Sequence, residues 1–164
     1  MKKTLLMLLV VLLLIPLSPN AKDHLSNKND VFSFLQEAFQ AQISLSDQTR
    51  TKEEIIDVLS PYFTEKYQKM FWKENIFEED GKFVTYGSDF AFYYIPFFHY
   101  SEETKVVIFQ ESIYVLQFFP STTHGPVSYT DHYEGVLLKK VDGGWKVDEY
   151  LYDNIPKSII DKAY

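Results

Sequence analysis

Cysteine is absent from the 164 residues, and four chemistries leave with it: disulfide bonds, thiolate zinc sites, cysteine nucleophiles and a lipidated cysteine of the lipoprotein type. Basic charge is also scarce. The chain has 16 Lys and Arg against 23 Asp and Glu, a net charge of −7. No basic patch interrupts this background, so phosphate backbones are repelled and nucleic acid is not an expected partner. No apolar run reaches the roughly 18 residues of a membrane-spanning helix; the longest is Leu5 to Ile15.

Several catalytic and binding signatures are missing too. There is no Gly-x-Ser-x-Gly or His-Glu-x-x-His, and Gly143-Gly144 lacks the strand-to-helix context and lysine of a phosphate cradle. The acidic run Glu78-Glu79-Asp80-Gly81 has neither the alternating ligands nor the distal glutamate of a calcium loop and reads as a solvated turn. His99, His124 and His132 are too scattered for a helical or hairpin metal pair. No two acids are paired as glycoside hydrolysis requires. No metal or cofactor is expected.

What the chain does carry at its start is an address. Lys2 and Lys3, the apolar run, Pro16, Pro19 and Ala21 follow the order of an export signal, predicting a signal peptide over 1–21. Ala21 is the small residue that closes the apolar segment without a following proline. Pro19, three positions back, fits cleavage poorly, so an uncleaved leader acting as a tether is the alternative. The expected location is secreted or extracytoplasmic, with membrane contact only if the leader is retained. Loss of Lys2 and Lys3 leaves the remainder more acidic still. After a flexible polar lead-in, 22–29, residues 30–164 have the length of one domain, which buries roughly two-thirds of its unfolded surface.

Aromatic residues make up 17% of the chain, including 14 Phe and 12 Tyr. Each buries roughly 150–250 Å², so a dense aromatic core is expected to replace covalent staples. Val31, Leu35, Ala38, Phe39 and Gln42-Ile43 recur at the spacing of one helix face, with Asn29 or Asp30 as cap. Thr51-Lys52-Glu53-Glu54 has the form of a capping box ahead of Ile55, Ile56 and Leu59. Ser60-Pro61 is expected to start a third helix running to about Glu74, burying Phe63, Tyr67, Met70 and Phe71.

From Lys82 the pattern changes to β. A short strand is expected over 83–86, and the aromatic stretch Phe90 to Tyr100, interrupted by Pro96, reads as an edge strand or packed loop. Strands are then predicted over 105–119, 127–141 and 145–152. The first two are long enough to require a bend or bulge, and Leu137-Leu138 breaks alternation within the second. Asp142-Gly143-Gly144 predicts a tight hairpin, and residues 155–164 a last short helix. The class is α+β: N-terminal helices on a strongly curved antiparallel sheet.

Helices followed by a meander that ends in Gly135-Val136-Leu137-Leu138-Lys139-Lys140-Val141-Asp142-Gly143-Gly144-Trp145-Lys146-Val147 resemble the nuclear-transport-factor-2-like, or cystatin-like, superfamily, over about Asp30 to Asp153. The whole chain also looks like small exported proteins of unknown function from bacilli, which implies a Gram-positive host and no activity. The superfamily resemblance implies a cone-like roll, often with a pocket at its open end. It hosts ketosteroid isomerase-like and dehydratase-like enzymes as well as binding and dimerising modules, so fold alone selects no function. No family's catalytic pattern matches here residue by residue.

The candidate polar residues are few. Tyr129, Asp131, His132, Tyr133 and Glu134 cluster on one predicted strand. Alternation sets Asp131 between the tyrosines on one face and His132 with Glu134 on the other. A buried carboxylate beside tyrosine suits isomerase chemistry; a hydrogen-bonded strand end is the structural alternative. Glu111, in phase with Phe109 and Ile113, and Glu149, in phase with Val147 and Leu151, are further pocket candidates, or lie on a rim or outward edge. The expectation is a non-enzymatic exported module that binds a protein or an envelope component, with homodimerisation through the sheet. The alternative is a small-molecule-binding or isomerase/dehydratase-like enzyme using the cone interior.

Overall fold

Asn27 starts the first helix, two or three positions before the predicted cap, because its side-chain oxygen reaches the Asp30 amide at 3.0 Å while its own amide group donates to the Asp30 carboxylate. The computed structural model describes residues 24–87, 92–123 and 128–164. The predicted leader lies outside them, as do His124 and the first two residues of the aromatic stretch. The described end of the lead-in is tied down, since Leu25 is buried in the core.

Helix α1 (Lys28–Ile43) places Val31, Phe34, Leu35 and Ala38 on one buried face. After a short 3-10 turn, Thr51 and Glu54 form the expected capping box at the head of α2 (Lys52–Leu59). The next boundary departs from expectation. The Ser60 amide closes α2 on the Ile56 carbonyl, residues 60–62 form a turn, and Thr64 is extended, its amide bonded to the Val147 carbonyl. Helix α3 (Glu65–Asn75) therefore begins later, capped by Thr64. Phe63, Tyr67 and Phe71 are buried as predicted, and Met70 is half-buried.

Strands β1 (Phe77–Glu79) and β2 (Lys82–Val84) pair around Asp80-Gly81, both with positive φ. The tight turn is thus a two-residue hairpin, and the expected strand at 83–86 is shorter and shifted. The described aromatic residues 92–100 form a packed loop, pinned from the helical side. Gln42 donates to the Tyr93 carbonyl and accepts from the Ile95 amide, at 2.7 and 2.9 Å. Tyr67 donates to the same carbonyl, and Asn75 to that of Phe92. Burial raises the Tyr67 phenol well above its ordinary range and pushes Tyr100 up to about 12.

The main sheet is an antiparallel meander in the order β3 (Lys105–Phe109), β4 (Ser112–Phe119), β5 (His132–Val141) and β6 (Gly144–Tyr152). The single strand expected over 105–119 is in fact a hairpin: Gln110, at φ +55°, turns the chain so that Phe109 faces Ser112. No glycine, asparagine or proline marks this turn, so its signal was absent from the residue pattern. The Asp142-Gly143 hairpin forms as predicted, with φ of +52° and +87°. The alternation break at Leu137-Leu138 coincides with a bulge: Leu137 opposes Glu149 and Leu138 opposes Val147, leaving Asp148 unopposed.

One face of this sheet, with Ile113, Val115, Val136, Leu138 and Val147, packs on Phe34, Leu35, Tyr67 and Phe71 of the helices, Phe63 of the α2–α3 connection and Ile95 of the 92–100 loop. The other face carries Val107, Leu116, Leu137 and Leu151, and helix α4 (Lys157–Ala163) covers it with Ile155 and Ile159. The apolar outer face that homodimerisation was expected to hide is therefore partly occupied by the chain itself. The molecule is α+β with helical layers on both sides of the sheet.

Candidate functional site

Two polar clusters are built into this frame. The first lies at the end of the sheet where β4 stops and β5 begins. His132 and Glu134 share the helix-facing side, as alternation requires, and the His132 Nε2 lies 3.0 Å from the Glu134 carboxylate. Nδ1 of the same ring lies 2.8 Å from the Thr130 carbonyl. The imidazole is stacked between Phe119 and Tyr152, with Tyr129 edge-on at 5.0 Å. Both ring nitrogens and both ring faces are thus engaged within the protein, and His132 is only 5% exposed. This is how an anchor is built; a general base needs a free nitrogen within reach of substrate.

Glu134 is held from its other oxygen by the Tyr150 hydroxyl at 3.3 Å. Burial, reinforced by the Glu134 charge, raises the Tyr150 phenol. Next to Glu134 in the β4–β5 register sits Gln117, fully buried. Its oxygen accepts from the His99 amide at 2.9 Å and the Thr104 hydroxyl at 2.8 Å, which fixes the amide's orientation. The Gln117 Nε2 has no partner among the described residues.

The remaining sequence candidates do not join this cluster. Asp131 is exposed and accepts from the Ser121 amide at 2.6 Å. Tyr129 precedes β5, so strand alternation does not govern it, and its ring meets His132 instead of sharing a face with Tyr133. Tyr133 is on the outer side, against Phe118 and Tyr164. Glu111 sits in the β3–β4 turn, exposed, because the hairpin ends the phase assumed between Phe109 and Ile113. Glu149 lost its assumed phase with Val147 when the Asp148 bulge inserted one residue: Val147 belongs to the helix-side core, whereas Leu151 and Glu149's partner Leu137 belong to the α4 side. Sequence reasoning missed Gln117, Phe119, Tyr150 and Tyr152. The legible hint was Gln117, a polar residue in phase with Ile113 and Val115.

The second cluster surrounds the bulge. The Asp148 carboxylate accepts from the Thr64 hydroxyl at 3.0 Å and lies 2.8 Å from Lys139 Nζ and 3.8 Å from Lys66 Nζ. Lys66 also reaches Glu149 at 3.3 Å. Burial alone would raise the Asp148 carboxyl, but the Lys139 and Thr64 hydrogen bonds and the neighbouring lysine charges outweigh it and hold the group below the ordinary aspartate range. Asp148 in turn raises Lys139. Thr64 uses one oxygen both to cap α3 and to bond the bulge, so this cluster joins helix to sheet.

Among the described residues, no group of three or more His, Asp or Glu is arranged to hold a metal ion, and no helix is long and apolar enough to cross a membrane. An open groove along α1, lined by Ser33, Gln36, Gln40 and Tyr62, gathers no converging catalytic groups.

Residues 27–119 match the family described as "Protein of unknown function (DUF3993)". The chain belongs to that family. No curated protein matches the chain, and no solved structure does. The family segment runs from the cap of α1 to the last residue of β4, so it contains Gln117, Phe119, His99 and Thr104 but stops short of His132, Glu134 and Tyr150.

Proposed function

We propose that this DUF3993 domain is a non-enzymatic interaction module that meets its partner through the aromatic end of the four-stranded sheet. The observation that carries this reading is that Tyr129, Tyr152 and Tyr164 are 39%, 50% and 60% exposed at one end of the sheet, yet their rings are held in fixed contacts with His132 and Tyr133. Rigid, partly exposed aromatic rings provide contact area at low ordering cost and are enriched at recognition surfaces. The net charge of −7 favours a neutral or cationic partner, a protein or an envelope component, over a phosphate-rich polymer.

Helices preceding a meander whose last hairpin is Asp142-Gly143-Gly144-Trp145 support placing the domain in the nuclear-transport-factor-2-like superfamily. The leader over 1–21 supports export from a Gram-positive cell, with release or tethering decided by cleavage after Ala21. Two features count against the enzyme reading. Side chains fill the space between helices and sheet, and the candidate acids are in solvent or engaged in ion pairs and hydrogen bonds.

A photo-crosslinking residue at position 152, with an exposed position on α2 such as Lys52 as control, tests the proposal in intact cells. A defined adduct is expected from position 152 alone, and Tyr129→Ala should weaken it. Equal adducts from both positions, or none from 152, would overturn the reading.

A further inference from the structure

Among the described residues, the four-stranded sheet has one protected edge, β6, and one bare edge, β3. On the β6 side, Val147 donates to the Tyr62 carbonyl at 2.8 Å and accepts from the Thr64 amide at 3.0 Å, so the α2–α3 connection covers that border. Where β4 extends beyond β3, the Phe118 amide donates to the Tyr164 hydroxyl at 3.2 Å and Gln117 engages the preceding loop. In the small sheet, β1 carries Glu78 and Glu79, the usual charged guard of a free edge. Strand β3 has one of these devices, Lys105 at its first residue, and none over Val106 to Phe109. Among the described residues its backbone bonds only to β4. Its sequence, Lys105-Val106-Val107-Ile108-Phe109, contains no proline, no acid and no bulge. Ile108 is 70% exposed.

An apolar edge left open beyond its first residue is a template for pairing with another strand, and natural sheets leave one bare where it is used or at the risk of aggregation. We infer that two copies of this chain pair antiparallel through their β3 strands, joining the two sheets into one.

The strand is complementary to itself. In a two-fold arrangement centred on Val107, Val106 of each copy faces Ile108 of the other, covering the exposed isoleucine. Lys105 faces Phe109, whose ring lies 5.5 Å from Lys162 Nζ, so the charges fall at the two margins of the joint and the apolar Val106, Val107 and Ile108 at its centre. Helix α4 packs beside β3 on the outer face, which brings the two α4 helices alongside each other and adds area that five residue pairs alone would not supply. This pairing uses the edge of the sheet and meets the aromatic end only at Lys105, whose ammonium lies 5.2 Å from the Tyr164 ring.

Sedimentation equilibrium of the full chain at near-physiological salt, across the micromolar range, reads the association directly. The wild-type protein should show a reversible monomer–dimer equilibrium. Ile108→Lys, at an exposed position whose folding circular dichroism can verify, should weaken association about tenfold or more, because two ammonium groups then enter the joint. Hydrogen exchange should show β3 amides gaining protection as concentration rises. A strictly monomeric wild type, a dimer that Ile108→Lys leaves intact, or protection gained elsewhere and not in β3 would each overturn the inference.

Discussion

Asp148 is the residue on which helix and sheet depend together, because one carboxylate receives the Thr64 hydroxyl, Lys139 and the more distant Lys66. An amide in its place keeps an oxygen for Thr64 but leaves Lys139 without its counter-charge, while Lys66 retains Glu149. Asp148→Asn should therefore destabilise the domain at pH 7 by about 1.5–3 kcal/mol, the range for a hydrogen bond to a charged group. The pH dependence follows from the direction of the shift. The folded carboxyl titrates below the unfolded one, so the stabilisation is present above the unfolded value of about 4 and fades as pH falls through the folded value. Urea midpoints of wild type and Asp148→Asn should differ at pH 7 and converge towards pH 3; a gap unchanged by acid would contradict the assignment.

At the scale of elements, the join between β4, β5 and α4 turns on Gly135. A methyl group there would sit 2.7 Å from the Val115 carbonyl oxygen and 3.3 Å from both the Ile155 Cδ1 and the Leu116 Cβ. Gly to Ala within a regular element usually gains about 0.5–1 kcal/mol. Here the sign should reverse, with Gly135→Ala losing about 1–3 kcal/mol through overpacking. Chemical denaturation reads the sign. Ile155→Ala in the same background should restore little, because the backbone oxygen of Val115 cannot retreat as a side chain can. The elements differ in how far residues alone revealed them. Thr51 to Glu54 and Asp142-Gly143 were legible because capping and hairpin turns are local chemistry, and Leu137-Leu138 flagged the bulge because alternation is local too. The hairpin at Gln110-Glu111 was not legible, since a left-handed glutamine is stabilised by the β3–β4 pairing it creates. Nor was the Thr64 start of α3, which is set by main-chain bonds to Val147, 83 positions away. Of the candidate site, the His132–Glu134 pair could be read from strand period. Its partners Gln117, Phe119, Tyr150 and Tyr152 come from neighbouring strands whose register only the assembled sheet defines.

For the whole molecule, the decisive feature is that the sheet is covered on both faces, by α1 to α3 on one and by α4 on the other. A two-layer reading, helices on one face of a sheet, makes the last ten residues an appendage. Burial says otherwise, since Ile155 and Ile159 lie against Val107, Leu116, Leu137 and Leu151. Two isoleucines at about 1.5–3 kcal/mol each amount to a large share of the roughly 5–15 kcal/mol that keeps a domain folded. Tyr164 adds a further tie through its hydroxyl to the Phe118 amide, under the Lys105 ammonium at 5.2 Å from its ring. Deleting 155–164 should therefore sharply lower the thermal midpoint or abolish cooperative melting, with binding of a hydrophobic dye to the bared strands. Ile159→Ala should fall between this deletion and wild type, losing about 2–5 kcal/mol. A shortened chain that melts like the intact one would mean that the helix-side core is sufficient. The outer face would then be free for a partner, as the sequence pattern had suggested.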